Sequence, residues 1–473
     1  MTRPVDRTPP QADLRADPPT DPRSAVAPAR ACAYAVLRRV FEEGAYADKA
    51  LQGQARGLDA RDRALARRLA YGAVQRKGTL DHLIGRLAER PSERLDGHVL
   101  AALRLGLYEL LYTRGAPDHA VVADAVELAK GSGRAGHGLV NAVLRRGARE
   151  GAELLDAFHD RTPQDAAVKH SHPEWIARLW WEQLGADDAR ALMARDNEPG
   201  EQALRANTLV TDAPTLARAL ASGDPAQGAR PVRTRPDPDI PEALVLEDPF
   251  DAHGSKLWRE GAFLAQSRAA MLVARALDPQ PGERVLDLCA APGGKSTHLA
   301  ALMRGTGEVV AVERDRRRAG ALARAAQRLR AGNVRVELAD AALGRPEGAA
   351  FDRVLVDPPC SGLGTLQARP DLRWRMEPSR MGELERTQAK ILAAAAEAVR
   401  PGGVLVYSTC TISATENELQ IAAFLDASPR FELDDLRVEL PAYSNPHAPE
   451  TVLTLPHRDR TAGFFIARLR RKG

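Results

Sequence analysis

Cysteine is scarce in this chain: Cys32, Cys289, Cys360 and Cys410 are the only four in 473 residues. No two form a CxxC pair and none sits in a Cys/His cluster, which excludes a disulfide scaffold and argues against a zinc site. A reducing, cytoplasmic setting is the expectation. Long apolar runs are missing too. No stretch of about 18 apolar residues exists, so no membrane span is expected. The N-terminal MTRPVDRTPPQADLRADPPTDPR lacks the apolar centre of a secretory signal. Lysine supplies only 8 of the 67 basic residues; that bias looks compositional, so arginine richness alone is given no meaning.

What remains is a globular composition, 44% hydrophobic and 27% charged. At roughly 150 residues per domain the length suggests about three domains. Charge is unevenly spread. Residues 30–150 carry 21 basic against 14 acidic residues, a balance of +7, while the whole chain is only +4. A basic block on a near-neutral body points to a polyanionic partner.

Residues 1–29, rich in Pro, Asp and Arg, read as a disordered tail. From Arg30 the apolar residues fall at helical spacing: Ala33, Val36, Leu37, Val40 and Phe41, then Leu65, Leu69 and Ala73, then Leu100, Leu103, Leu107 and Leu111. This predicts an all-α domain over 30–150. Residues 151–262 read as a small α+β linker domain. It has a helix around Trp175, Leu179 and Leu184, a strand at 204–210, a helix at 214–220 and a turn-rich stretch before VLEDPF. The rest, 263–473, alternates strands and helices. Strands are predicted at 284–288, 308–313, 334–338, 352–356 and 403–408, with helices at 293–303, 315–331 and 380–399. Pro401-Gly402-Gly403 is read as the stop of the last helix, and 463–470 as a final strand. Buried apolar strands in a βαβ series imply an α/β doubly wound sheet that binds ligands at the carboxyl ends of its strands.

The chemistry-bearing residues lie at those ends. The first strand runs into Cys289-Ala290-Ala291-Pro292-Gly293-Gly294-Lys295, a glycine turn opening a helix. It is neither GxxxxGK[ST] nor GxGxxG, yet it is a cofactor cradle in kind, with Lys295 in the first helical turn to meet a carboxylate. Glu313 ends the second strand, about 20 residues on, where an acid grips a ribose diol; Asp340 follows the third strand in a similar place. The fourth strand ends Asp357-Pro358-Pro359-Cys360, and the fifth ends in Cys410. A buried cysteine is usually a small hydrophobe. Two at equivalent ends of neighbouring strands, beside a cofactor loop, read as a pair of working thiols. Cys32, His119 and His172 are read as structural.

DLCAAPGGKSTHLA, DPPCSGLGT with RPDLRWR behind it, and YSTCTISATENE together resemble the RNA 5-methylcytosine methyltransferases of the RsmB type, the Sun/Fmu family. The likeness extends to SHPEWIARLW, DNEP and LRANTL in the linker. RACAYAVLRRV, ARDRALARRLAYGAV and LVNAVLRR resemble the NusB-like front domain of the bacterial small-subunit rRNA branch. The resemblance implies a NusB-like helical domain, a linker domain and a Rossmann-like class I methyltransferase domain that uses S-adenosyl-L-methionine. It further implies that Cys289 to Lys295 line the cofactor site and that Glu313 and Asp340 hold its ribose and adenine sides. Asp357 would then lie between cofactor and base, Cys410 would be the nucleophile and Cys360 the thiol that aids product release. Departures are small: Glu313 for a usual Asp, Pro358 for a common Ala, Thr411 for a usual Ser, and a turn-rich insert near 221–241.

Cytosine C5 becomes nucleophilic once a thiolate has added to C6. Spacing alone leaves open which cysteine attacks; the family favours Cys410. The expected substrate is small-subunit rRNA, with the base extruded from its helix. The enzyme is expected to be a monomer that neither binds metal nor touches a membrane. Alternatives are the same chemistry on another RNA such as tRNA, a catalytically inert rRNA-binding assembly factor, or a DNA or protein methyltransferase.

Overall fold

The computed structural model describes residues 26–130, 136–223, 230–343 and 350–473. Most of the expected tail, 1–25, lies outside the described residues. Its last part does not behave as tail: Val26 is buried and Pro28 already opens the first helix, in the first-turn position where a missing N–H costs nothing. The chain divides into two compact units, 1–158 and 159–473.

Among its described residues the first unit's regular structure is all helical: α1 Pro28–Phe41, α2 Ala47–Gln54, α3 Ala60–Gln75, α4 Lys77–Ala88, α5 Gly97–Tyr112, α6 Asp118–Lys130 and α7 Gly136–Asp156. α5 is apolar nearly all round and is the central helix, with Val99, Ala102, Leu103, Leu105 and Leu107 buried. The charges it does carry are paired. Arg104 Nε donates to Asp81 Oδ1 at 2.6 Å, and Arg30 bridges Glu109 and Asp124 at 2.7 Å each. Leu65 corrects the sequence reading. It is 37% exposed beside exposed Arg61 and Arg68, because the buried stripe of α3 runs through Ala66, Leu69, Ala70, Ala73 and Val74.

The second unit opens with α8 Pro163–Lys169, α9 Glu174–Leu184 and α10 Ala186–Arg195. A small antiparallel sheet follows, ordered β2-β3-β1-β4, from β1 Ala203–Ala206, β2 Thr234–Pro236, β3 Ala243–Leu246 and β4 Phe263–Ala265. With it go α11 Ala213–Ala221 and α12 Lys256–Arg259. The strand expected over 204–210 ends at Ala206, because Asn207 turns the chain: its Nδ2 donates to the carbonyls of Gly261 and Leu329, and its own carbonyl accepts from Val210 and Thr211 N–H. The stretch read as turns contains β2, whose three residues Thr-Arg-Pro show no alternation; residues 224–229 of that stretch lie outside the described residues.

After α13 Arg268–Leu277 come β5 Arg284–Leu288, α14 Gly294–Leu302, β6 Glu308–Glu313, α15 Arg316–Arg328, β7 Val334–Leu338 and β8 Phe351–Val356. They are followed by α16 Leu372–Arg375, α17 Pro378–Ala398, β9 Val399–Thr409 and α18 Glu418–Ala427. The chain closes with β10 Phe431–Asp434, β11 Val452–Thr454, α19 Pro456–Asp459 and β12 Phe464–Arg471. The large sheet is ordered β10-β12-β9-β8-β5-β6-β7, with β11 on β12. β5 to β9 are parallel and β12 is antiparallel to β9. Side chains alternate between two cores, as a pleated strand requires. Leu286, Leu288, Val310, Val312, Val354 and Val356 face one core with Trp180 and α17, while Val285, Val309, Leu355 and Val406 face the other with α13 and α14. The helix expected over 380–399 is α17, which ends at Ala398, and Pro401-Gly402-Gly403 is not its stop. Val399 already pairs with Phe351, and the Pro-Gly-Gly lies in the bulge before Val404 pairs with Arg353.

Candidate active site

Because β5 to β9 run parallel, their carboxyl ends share one edge, and every site residue expected from the sequence lies along it, at a strand end, in the loop that follows or in the first turn of the next helix. After β5, Cys289 takes a left-handed backbone (φ 64°), and Gly293 does so at φ 100°, an angle that favours glycine. Ala290 N–H donates to Val312 O and Gly293 N–H to Ala290 O, which folds the loop back onto β6 and starts α14 at Gly294. Burial pushes the Cys289 thiol up to about 12, so this sulfur stays protonated. Glu313 is buried; one carboxylate oxygen accepts from Asp315 N–H at 2.9 Å and the other lies 3.4 Å from Arg318 Nη2. Asp340, beyond β7, accepts from Ala342 N–H at 3.0 Å.

The expected partner of Lys295 was a cofactor carboxylate. Here its ammonium sits 2.6 Å from Asp357 Oδ2 and 5.1 Å from the centre of the Phe464 ring. Burial pulls its pKa down, but Asp357 outweighs burial and holds it above the usual lysine value. The other oxygen of Asp357 accepts from Ser408 Oγ at 3.0 Å.

Beyond Asp357 the two thiols meet: Cys360 Sγ and Cys410 Sγ are 3.3 Å apart, both partly exposed. The pair is electrostatically unequal. A hydrogen bond from Cys360 lowers Cys410 below the usual thiol value, with burial and Asp357 opposing and Lys295 and Arg369 assisting. Cys360 is raised, first by its hydrogen bond to Cys410, then by burial, with Glu416 and Asp357 adding to it. A thiolate at Cys410 facing a thiol at Cys360 is the favoured arrangement.

The loops holding the thiols are locked together. Gly364 N–H donates to Cys410 O at 3.0 Å, and Gly463 N–H donates to Gly364 O at 2.7 Å. The chains cross so closely that a Cβ on Gly364 would stand 2.0 Å from Gly463 O. Gly364→Ala is therefore expected to cost about 1–3 kcal/mol, as overpacking of a tight core does. Chemical denaturation of the two proteins measures this as a lower unfolding midpoint. Trp180 Nε1 donates to Ile412 O at 3.2 Å, which anchors the Cys410 loop to α9.

Several polar residues here were not singled out from sequence. Asp287, inside β5, is buried, accepts from Ser296 Oγ at 2.6 Å and is pushed by burial up to about 7. Arg205, fully buried, donates to Gln266 Oε1 at 2.7 Å, Gly294 O at 2.5 Å and Thr297 Oγ1 at 3.0 Å, tying β1 to the start of α14. An acid inside an apolar strand and an arginine inside a short one were the available signals. Ser361, Gln388 and Glu416 gave no signal of that kind.

The donor set suits a zwitterionic nucleoside: a glycine turn at a helix start, carboxylates at Glu313 and Asp340, and in Asp287 Oδ1 a buried acceptor with no partner among the described residues. No group of three or more His, Cys, Asp or Glu side chains among the described residues is arranged to hold a metal ion, and no described helix is long and apolar enough to cross a membrane.

Comparison with known proteins agrees with this geometry. A family model described as 16S rRNA methyltransferase RsmB/F matches residues 274–470, one for the NusB family matches 27–149, and one for an RsmF/B-like, ferredoxin-like domain matches 172–253. The chain is 36% identical over 451 residues to the probable ribosomal RNA small subunit methyltransferase B of Bacillus subtilis, covering 94% of this chain and 99% of that one. It is 33% identical over 445 residues to ribosomal RNA small subunit methyltransferase B of Klebsiella pneumoniae, covering 93% and 97%. The crystal structure of PH0851 superposes with a TM-score of 0.77 at 26% identity, over 94% of this chain and 99% of that one.

Proposed function

The chain belongs to the RsmB/F family of 16S rRNA methyltransferases, and from that premise we propose that it methylates cytosine C5 in 16S rRNA through a covalent adduct on Cys410. One observation carries the reading: two thiols 3.3 Å apart at adjacent strand ends, beside an Asp357–Lys295 ion pair, on the edge that holds the cofactor loop. The 289–295 loop, Glu313, Asp340 and Asp357 would hold S-adenosyl-L-methionine, which when bound supplies an electrophilic methyl group for C5.

The protein's own groups do the rest. The Cys410 thiolate bonds to C6 of an extruded cytosine, and the C5–C6 π electrons shift to make C5 nucleophilic. Asp357 accepts from the amino edge of the base, while the Lys295 ammonium supplies positive charge as electron density builds on that edge. Once C5 bears its methyl group it also bears the hydrogen that must leave. Cys360, after passing its own proton to solvent, takes this one or positions a water that does; the C5=C6 bond reforms, and the Cys410–C6 bond breaks to return the thiolate. Residues 30–150, with their excess of basic charge, are proposed to bind the phosphate backbone, 151–262 to link, and 263–473 to catalyse.

The test is methyl transfer from labelled S-adenosyl-L-methionine to unmodified 16S rRNA by the full chain, with the RNA digested to nucleosides. Label in 5-methylcytidine is expected. Label on N4 or on a ribose oxygen overturns the chemistry, label only in tRNA overturns the substrate, and no transfer to any RNA favours the inert assembly factor.

A further inference from the structure

The connection from β9 to α18, which carries Cys410, also carries a fully buried carboxylate. Glu416 is 0% exposed. Its Oε1 accepts from the backbone N–H of Ser361 at 2.9 Å and from Gln388 Nε2 at 2.8 Å, and its Oε2 accepts from Ser361 Oγ. Ser361 follows Cys360 directly. Its hydroxyl also meets Thr411 Oγ1 at 2.6 Å, and Thr411 follows Cys410. Gln388 Nε2 reaches Pro359 O at 3.0 Å, so the Cys360 loop is held on both sides of the thiol. The neighbouring Asn417 closes the other half, donating to Thr411 O at 3.1 Å and accepting from Thr409 Oγ1 at 2.6 Å. Tyr407 OH fixes the Glu416 carbonyl at 2.8 Å.

Burying a carboxylate without a basic partner is costly, and such a group is ordinarily found beside a cation. Among the described residues no cation bonds to the Glu416 carboxylate; its three acceptor contacts are all to neutral donors, and burial lifts it above the usual glutamate range. Its bonds go to the residues that set the separation of the two thiols. We propose that Glu416 is a positioning residue: it clamps the Cys360 loop to the Cys410 loop and thereby fixes the thiol–thiol contact on which both halves of the reaction depend. This rests on the thiol roles given above, but its first consequence, the environment of Cys410, is measurable without any methyl transfer.

The experiment uses the full-length protein with Glu416→Ala, Glu416→Gln and Ser361→Ala. Iodoacetamide alkylation of Cys410 is followed against pH by mass spectrometry of the Cys410 peptide, beside kcat and KM on 16S rRNA. Glutamine can still accept from the Ser361 and Gln388 N–H groups and donate to the Ser361 hydroxyl, so Glu416→Gln should keep the wild-type alkylation midpoint and most of kcat. Glu416→Ala should move the midpoint up by about one pH unit as the Cys360 hydrogen bond is lost. It should also lower kcat about 10- to 100-fold at nearly constant KM, the scale of a misplacement of about 1 Å. Ser361→Ala, which keeps the backbone N–H and loses only the hydroxyl bridge, should shift the same way by less, and it serves if Glu416→Ala does not fold. A generic loss of stability lowers the folded fraction but leaves the midpoint of the folded protein alone. An unmoved midpoint with unchanged kcat per folded molecule in Glu416→Ala overturns the proposal, as does the same null result in Ser361→Ala should that variant alone fold. If instead Cys410→Ala remains active while the alkylation midpoint still moves, the clamp stands and the nucleophile assignment falls.

Discussion

Cys410→Ala should abolish methyl transfer, by about 10⁴-fold or more, the size seen when a covalent nucleophile is removed from a concerted set. Cys360→Ala should fail differently: it should complete C6 addition and stall before release, leaving RNA attached to protein on a denaturing gel. The two variants should differ because the pair is asymmetric in a way the distance alone does not contain, since 3.3 Å is the same from either sulfur. Burial and Asp357 raise both sulfurs, but Cys410 receives the hydrogen bond and has Lys295 and Arg369 within electrostatic reach, whereas Cys360 is raised by that bond and by Glu416. On the proposed mechanism the sulfur that ionises first is the one that attacks, and its neighbour must pass its proton to solvent before it can take one from C5. The pair of outcomes is diagnostic. Should Cys360→Ala be dead and Cys410→Ala accumulate the attached RNA, the roles are exchanged and the enzyme class survives. Should neither variant lose activity, the covalent route itself is wrong.

How far these roles were legible in the sequence depended on whether a residue's meaning was local. β5 and β6 have the bounds the apolar runs implied, because a strand buried on both faces announces itself as a short run between turns, and β7, an edge strand only partly buried, has the expected bounds through its alternating Val-Arg-Val-Glu-Leu. The convergence of Cys360 and Cys410 was legible for a topological reason: adjacent parallel strands end side by side. β2 was invisible, since a three-residue edge strand carries no pattern. β9 was cut short because Pro401 and the two glycines after it look like a terminator, and only the partner strand shows that the ladder resumes across a bulge. Glu416 and Ser361 are 55 positions apart. In sequence, Glu416 stands among polar residues, and nothing local says that it will be buried against a loop from another strand. Lys295 was placed correctly at the start of α14, but the side chain it would meet, Asp357, comes from 62 positions away.

That ion pair carries the second large expected effect. Asp357→Asn should lower kcat about 10²- to 10³-fold, as removal of one preorganised electrostatic group does, with KM for RNA little changed. Asparagine keeps the size and an oxygen for Ser408 Oγ, so the fold around it should hold. What it loses is the negative charge that holds Lys295 and that is proposed to bind the base's amino edge. Lys295→Met should cut activity as deeply and also destabilise, because it leaves the Asp357 carboxylate, 27% exposed at its side chain, without its cation. For a pair this sheltered but not dry, about 1–3 kcal/mol is expected, less than for a fully buried pair. Combining the two substitutions separates structure from chemistry. Removing both charges together should restore most of the lost stability, since no unpaired carboxylate remains, yet it should restore no activity. If the double variant recovered turnover along with its unfolding midpoint, Lys295 and Asp357 would be a structural strut. If it recovers the midpoint alone, the two charges act on the base, and the ion pair seen between them is the resting form of groups that the substrate must draw apart.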